Sequence, residues 1–109
     1  MATNYKVLGQ VNPAATTATT LYTVPSATQS VVSTIVICNQ ATLNATFRIA
    51  VRPLGATLSA VHYVAYDVIV GGSDSTALTL GITLGATDVI TVYSSAATVS
   101  FSAFGSEIV

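Results

Sequence analysis

Charge is what this chain has least of. Seven of its 109 residues are formally charged, 6% in all, against about 25% in ordinary globular domains. They are Lys6, Arg48, Arg52, Asp67, Asp74, Asp88 and Glu107. Three basic residues cannot line a nucleic-acid backbone, where affinity comes from counterions displaced by rows of Lys and Arg. Nor can they hold a chain on an anionic lipid surface. Neither nucleic acid nor membrane is therefore expected as a partner. Long apolar runs are missing too: Val31 to Cys38 is interrupted by Ser33 and Thr34, and a spanning helix needs about 20 residues. One cysteine, Cys38, cannot close an internal disulfide, which fits synthesis in a reducing cytoplasm. The opening residues Met1 to Lys6 lack the basic flank and apolar stretch of a signal peptide.

What is present is apolar and β-branched. The hydrophobic share is 51% and the net charge −1, so disorder is not expected. At this length a single domain over residues 1–109 is the default, because either half would fall short of a core. A free monomer keeps itself soluble with surface charge. So poor a supply predicts that much of this surface meets other protein.

The apolar period is two. Phe47, Ile49 and Val51 alternate with Thr46, Arg48, Ala50 and Arg52, and Val99, Phe101 and Ala103 alternate with Thr98, Ser100 and Ser102. Leu78, Leu80 and Ile82 likewise alternate with Ala77, Thr79, Gly81 and Thr83. These patterns predict half-buried antiparallel strands. Residues 31–38 and 61–70 are apolar on both faces, which predicts central strands or strands whose outer face another chain covers. Turn formers separate the runs, the sharpest being Gly71-Gly72-Ser73-Asp74, where paired glycines suit the positive φ of a hairpin. Eight strands are expected, at 5–11, 20–24, 30–38, 46–52, 60–70, 75–83, 89–94 and 98–106. The fold class is all-β: an antiparallel β-sandwich, jelly-roll-like, with an immunoglobulin-like variant second. Residues 12–19, small and uncharged, read as a loop or an extended arm.

Catalytic chemistry finds little to work with. A Ser-His-Asp arrangement would need the one histidine, His62, beside a carboxylate. The nearest in sequence, Asp67, differs from it in parity and would point to the other face of a strand. His62 reads instead as a partly buried strand residue. Cys38 and His62 have no partner at zinc-ligand spacing, and Cys38 reads as a small buried hydrophobe. Asp74 and Asp88 read as turn caps rather than calcium ligands. Asn44-Ala45-Thr46 has the form of a glycosylation sequon, a triplet that arises often by chance. No catalytic, metal-ligating or cofactor-binding residue is expected, and no enzyme.

The residues left are those an assembly would use. Arg48 and Arg52 lie four apart on one strand face, suited to ion pairs with a partner's carboxylates. The plain alternative is two solvated arginines protecting an edge strand. Phe104 and Val109 belong to an apolar ending that a docked tail explains. Tyr22 and Tyr66 complete the candidate contacts. With Tyr93 they are also the aromatics that a glycan-binding module would expose.

Several stretches resemble small virion proteins of tailed phages, marine cyanobacterial phages especially. They are Asn4-Tyr5-Lys6-Val7-Leu8-Gly9-Gln10, Leu21-Tyr22-Thr23-Val24-Pro25, Phe47-Arg48-Ile49-Ala50-Val51-Arg52-Pro53, Tyr63-Val64-Ala65-Tyr66-Asp67, Leu78-Thr79-Leu80-Gly81-Ile82 and Phe101-Ser102-Ala103-Phe104-Gly105-Ser106-Glu107. The resemblance implies a non-enzymatic β-sandwich subunit, made in the host bacterial cytoplasm and located in the virion. It further implies a capsid decoration (cement) protein, a homotrimer bound to the major capsid protein, with a tail, baseplate or fibre-associated module as the alternative.

Overall fold

A computed structural model describes residues 2–109. The strands are β1 (Thr3–Val11), β2 (Thr19–Thr23), β3 (Gln29–Asn39), β4 (Ala45–Arg52), β5 (Tyr63–Val70), β6 (Asp74–Leu78), β7 (Ile82–Leu84), β8 (Val89–Ser94) and β9 (Val99–Ile108). Two single 3-10 turns, Pro53–Gly55 and Ala60–His62, lie between β4 and β5. All pairings are antiparallel and form two sheets. One runs β1-β9-β3-β6, with β7 also on β3; the other runs β2-β8-β4-β5.

The expected strand at 75–83 is two strands. Gly81 takes a φ of +63°, a conformation glycine adopts without steric cost, and it interrupts the run so that β6 and β7 pair with opposite ends of β3. Taken as one broken strand, β6 and β7 complete a simple scheme. The outermost strands β1 and β9 pair, then β2 and β8, then β3 with β6 and β7, then β4 and β5. A long antiparallel ribbon folded over in this order is a jelly roll. The immunoglobulin-like variant is excluded by these pairings.

The core lies between the sheets. Phe47, Ile49, Val92 and Ile90 from one sheet meet Ile35, Ile37, Val99 and Phe101 from the other, each at most 1% exposed. The Phe47 and Phe101 rings meet edge to face, centroids 6.2 Å apart at 75°. Burial of each such side chain stabilises by about 1.5–3 kcal/mol, and alternation along β4 and β9 supplies those side chains.

Two expectations about local structure are corrected. Of the two readings of residues 61–70, the central strand is overturned: residues 60–62 are a 3-10 turn, and β5 is the outer strand of its sheet, with Val64, Tyr66, Val68 and Ile69 exposed. Hydrophobicity alone does not separate an edge from a centre. Gly71-Gly72 is not a hairpin turn either, because β5 and β6 belong to different sheets. Gly72 is needed for space: a Cβ there would lie 2.0 Å from the Thr42 carbonyl oxygen. The positive φ, 51°, falls on Ser73.

Candidate interaction surface

Register decides which side chains face outward on the β1-β9-β3-β6 sheet. Ile35, Ile37, Phe101 and Ala103 point inward, so their neighbours point out. The outer face therefore carries Tyr5, Val7 and Gln10 of β1, Ser100, Ser102, Phe104 and Ser106 of β9, Val31, Thr34, Val36 and Cys38 of β3, and Ser75 and Ala77 of β6. Among the described residues, none of these outward side chains is charged; Lys6, paired with Gly105 between outward Tyr5 and Val7, donates instead to Glu107. Tyr5 is 85% exposed and Val7 47%. With Lys6, Val31, Ser33 and Phe104 they line a shallow hollow of about 590 Å³. Cys38 is half-buried on this face rather than in the core.

The opposite sheet presents a different surface. Arg48, outward on β4, lies opposite Tyr93 of β8. On its other side β5 bulges, with Asp67 at a φ of 52°. The bulge puts the Asp67 carboxylate where Arg48 donates to both its oxygens, Nε at 2.7 Å and Nη2 at 3.3 Å. The guanidinium carbon also lies 4.2 Å from the Tyr66 ring centroid and 4.3 Å from that of Tyr93, within cation–π range. Hydrogen bonding to Asp67 raises the Arg48 pKa further above its ordinary value, so it stays charged. Tyr63 meets Tyr66 edge to face at 4.9 Å and 83°. Beside these rings lies an open hollow of about 630 Å³ lined by Leu58, Ser59, Ala60, Tyr63 and Tyr66.

The rest of this outer face is roofed by the chain itself. Arg52 donates to Thr91 Oγ1 at 3.0 Å and to the Ala56 carbonyl at 3.0 Å. Asp88 accepts from the Leu54 and Gly85 backbone N–H groups, both at 2.9 Å. Ala50, Val89 and Thr91 are buried as a result, although they point away from the core. The two arginines thus have partners within the chain. Neither guards an edge, since β4 lies between β8 and β5.

Tyr22 is not at the surface. It is 7% exposed and reaches from β2 across the sandwich, its hydroxyl 2.7 Å from Ser30 Oγ and donating to Glu107 Oε2 at 2.6 Å. Lys6 Nζ donates to the other Glu107 oxygen at 3.2 Å. Burial, reinforced by Glu107, pushes the Tyr22 phenol up to about 12, while the Tyr22 hydrogen bond holds Glu107 below the usual carboxylate range.

The other candidates have structural roles. His62 ends a 3-10 turn instead of lying on a strand, and its Nδ1 accepts from the Ser59 N–H at 3.1 Å. His62 and Asp67 therefore cannot be compared by strand parity, and Asp67 is committed to Arg48. Asp74 accepts from Ser75 N–H and Asn44 Oδ1 from Gly72 N–H. Among the described residues, no group of three or more His, Cys, Asp or Glu could hold a metal ion, and no helix is long and apolar enough to cross a membrane. Val109 is exposed, paired through its backbone with Ala2 beyond the end of β9. The apolar ending is therefore strand rather than tail. Residues 12–18 link the two sheets, held by Asn12 on the Val99 carbonyl at 2.7 Å and by Thr16 N–H on Ser94.

Sequence reasoning missed the Arg48–Asp67 pair and the hollow beside Tyr63. The lone carboxylate inside the apolar run 61–70 was the available signal, since such a group needs a cation or a hydrogen-bond donor nearby.

No family model matches the chain, and no curated protein matches it. Among solved structures, its fold is similar to that of a chain in the structure of infectious bursal disease virus, Gx strain, at a TM-score of 0.55 and 14% identity. The match covers 97% of this chain and 31% of that one. The chain thus spans about a third of its neighbour's length. The neighbour comes from an animal virus, not from a phage, and at this identity the likeness is one of fold.

Proposed function

We propose that the chain is a non-enzymatic structural subunit of a virus particle, and specifically a decoration protein on the head of a tailed phage. The observation that carries this reading is the outer face of the β1-β9-β3-β6 sheet, four strands wide and without a charged residue among those described. Such a face gains little from water and loses little on contact with protein, because there is no ion to desolvate. The jelly roll, a fold used by capsid domains, and the fold-level likeness to a virus chain support the same reading.

In this reading the uncharged face, with Tyr5, Val7 and Phe104, seats on the major capsid protein and on sister copies in a homotrimer; Val109 lies at its margin. Arg48, Arg52 and Tyr66, on the opposite sheet, are left to solvent or to neighbouring subunits. A subunit that binds only the assembled lattice stabilises it by its binding free energy, repeated at every site.

The test is a copy count in purified particles by quantitative mass spectrometry. A number matching the capsid lattice supports decoration. A small multiple of three or six places the chain in the tail or baseplate, and absence from particles removes the virion reading altogether. Particles lacking the chain should release their DNA at a lower temperature than complete ones.

A further inference from the structure

We propose that the hollow beside Tyr63 and Tyr66 binds a neutral hexopyranose of a glycan. It lies on the sheet opposite the uncharged face, and the inference requires that sheet to stay open to solvent when the uncharged face is covered.

Four observations converge on it. The hollow, about 630 Å³, falls in the size range of small-ligand clefts, roughly 300–1,000 Å³. Two of its lining residues are Tyr63 and Tyr66, whose rings stand 83° apart, and Tyr66 is 56% exposed. An aromatic face carries partial negative charge and attracts polarised C–H groups, which one face of a pyranose ring presents. The rings are also held in advance: Tyr66 packs on the Arg48 guanidinium and against Tyr63, so little side-chain freedom remains to be lost on binding. Finally, the neighbouring polar groups suit hydroxyls. Arg48 donates Nε and Nη2 to Asp67, leaving Nη1 uncommitted among the described residues. The Asp67 carboxylate is 45% exposed, and Ser59 and the two phenols add further donors and acceptors.

Net charge selects the ligand class. None of the lining residues is charged, and the Arg48 guanidinium beside Tyr66 is paired with Asp67, so the site has no free cation for a sialic acid, sulfate or phosphate. Strand addition by a second copy is disfavoured by the bulge at Asp67, which bends the β5 edge and breaks its ladder.

The experiment uses the full chain, titrated with the methyl glycosides of glucose, galactose and mannose by saturation-transfer NMR and applied to an array that also carries sialylated and sulfated glycans. Binding to at least one neutral hexoside is expected, with Tyr66→Ala weakening it by about tenfold or more. Ala60→Trp, which fills the hollow without touching the Arg48–Asp67 pair, should abolish binding while the circular dichroism spectrum stays unchanged. The proposal is overturned if no neutral glycoside binds, if only acidic glycans do, or if a folded Ala60→Trp protein binds as before. Loss of particle incorporation by Tyr66→Ala without any glycoside binding would make the patch a protein contact instead, and also overturns it.

Discussion

The two outer faces of this sandwich are built from the same few residue types and do opposite things with them. One sheet shows Ser, Thr, Val, Tyr5 and Phe104 across four strands, with no charge among the described residues. The other gathers Arg48, Arg52 and Asp67, stacks Tyr66 and Tyr93 on Arg48, and folds the 53–62 connection over the remainder. Nearly half of a small charge supply is thus spent on one face. A face that is to meet water or a polar ligand needs ionic and hydrogen-bonding groups; one that is to be buried against protein is better without them. Composition reports only the average of the two.

Breaking what both faces share should have the largest effect. Phe101→Ala removes one partner of the edge-to-face pair that joins the sheets. It should lower the unfolding free energy by about 3–5 kcal/mol, read as a fall in the urea midpoint.

Tyr22→Phe comes next. It deprives Glu107 and the buried Ser30 hydroxyl of a partner, and a loss of about 1.5–3 kcal/mol is expected for a bond to a charged group. Its pH signature is specific. The Tyr22 pKa is raised from 10.0 to about 12 in the fold, so the neutral phenol is favoured there. That contribution is complete below pH 10 and disappears as pH rises through 12. The Glu107 pKa is lowered, so its contribution is complete above the unfolded carboxylate value and disappears as pH falls through the lower folded one. Tm measured against pH should show both flanks in the parent protein. The variant should lose the alkaline flank and soften the acidic one. An unchanged alkaline flank would show that Tyr22 does not govern it.

The sharpest test of the contrast has the smallest effect on stability. Val7→Lys places a charge on the bare face, and Ile69→Lys places one on the opposite sheet, at a residue 66% exposed. Both should unfold within about 0.5 kcal/mol of the parent. Incorporation into particles should fall by about tenfold or more for Val7→Lys alone. Equal loss in both would mean that the two faces are not functionally distinct.

Much of the fold is legible in the residues. Alternation in Phe47–Arg52 and Val99–Ala103 marks β4 and β9, and every expected strand overlaps an observed one. What escaped depends on contacts distant in sequence. The pairing of β1 with β9 selects the jelly roll, and nothing local to Thr3–Val11 or Val99–Ile108 encodes it. The alternation of Leu78, Leu80 and Ile82 hides the break at Gly81, because the pattern resumes in phase. Of the candidate contact residues, Tyr22 was the most misleading. An aromatic beside the Val24-Pro25 turn suits the surface, and only the approach of Ser30 and Glu107 makes it a buried crossbar.

The scarcity of charge, the two-residue period and the supply of β-branched residues determined that this chain forms sheets with apolar interiors. They did not determine where the seven charges go. That was decided by tertiary structure, because a single bulge, as between Val7 and Gly9 or at Asp67, shifts every later side chain to the other face. Pairing across the whole chain then sets which faces adjoin. Only after those choices does one sheet surface emerge without charge and the other with a neutralised arginine between two tyrosine rings.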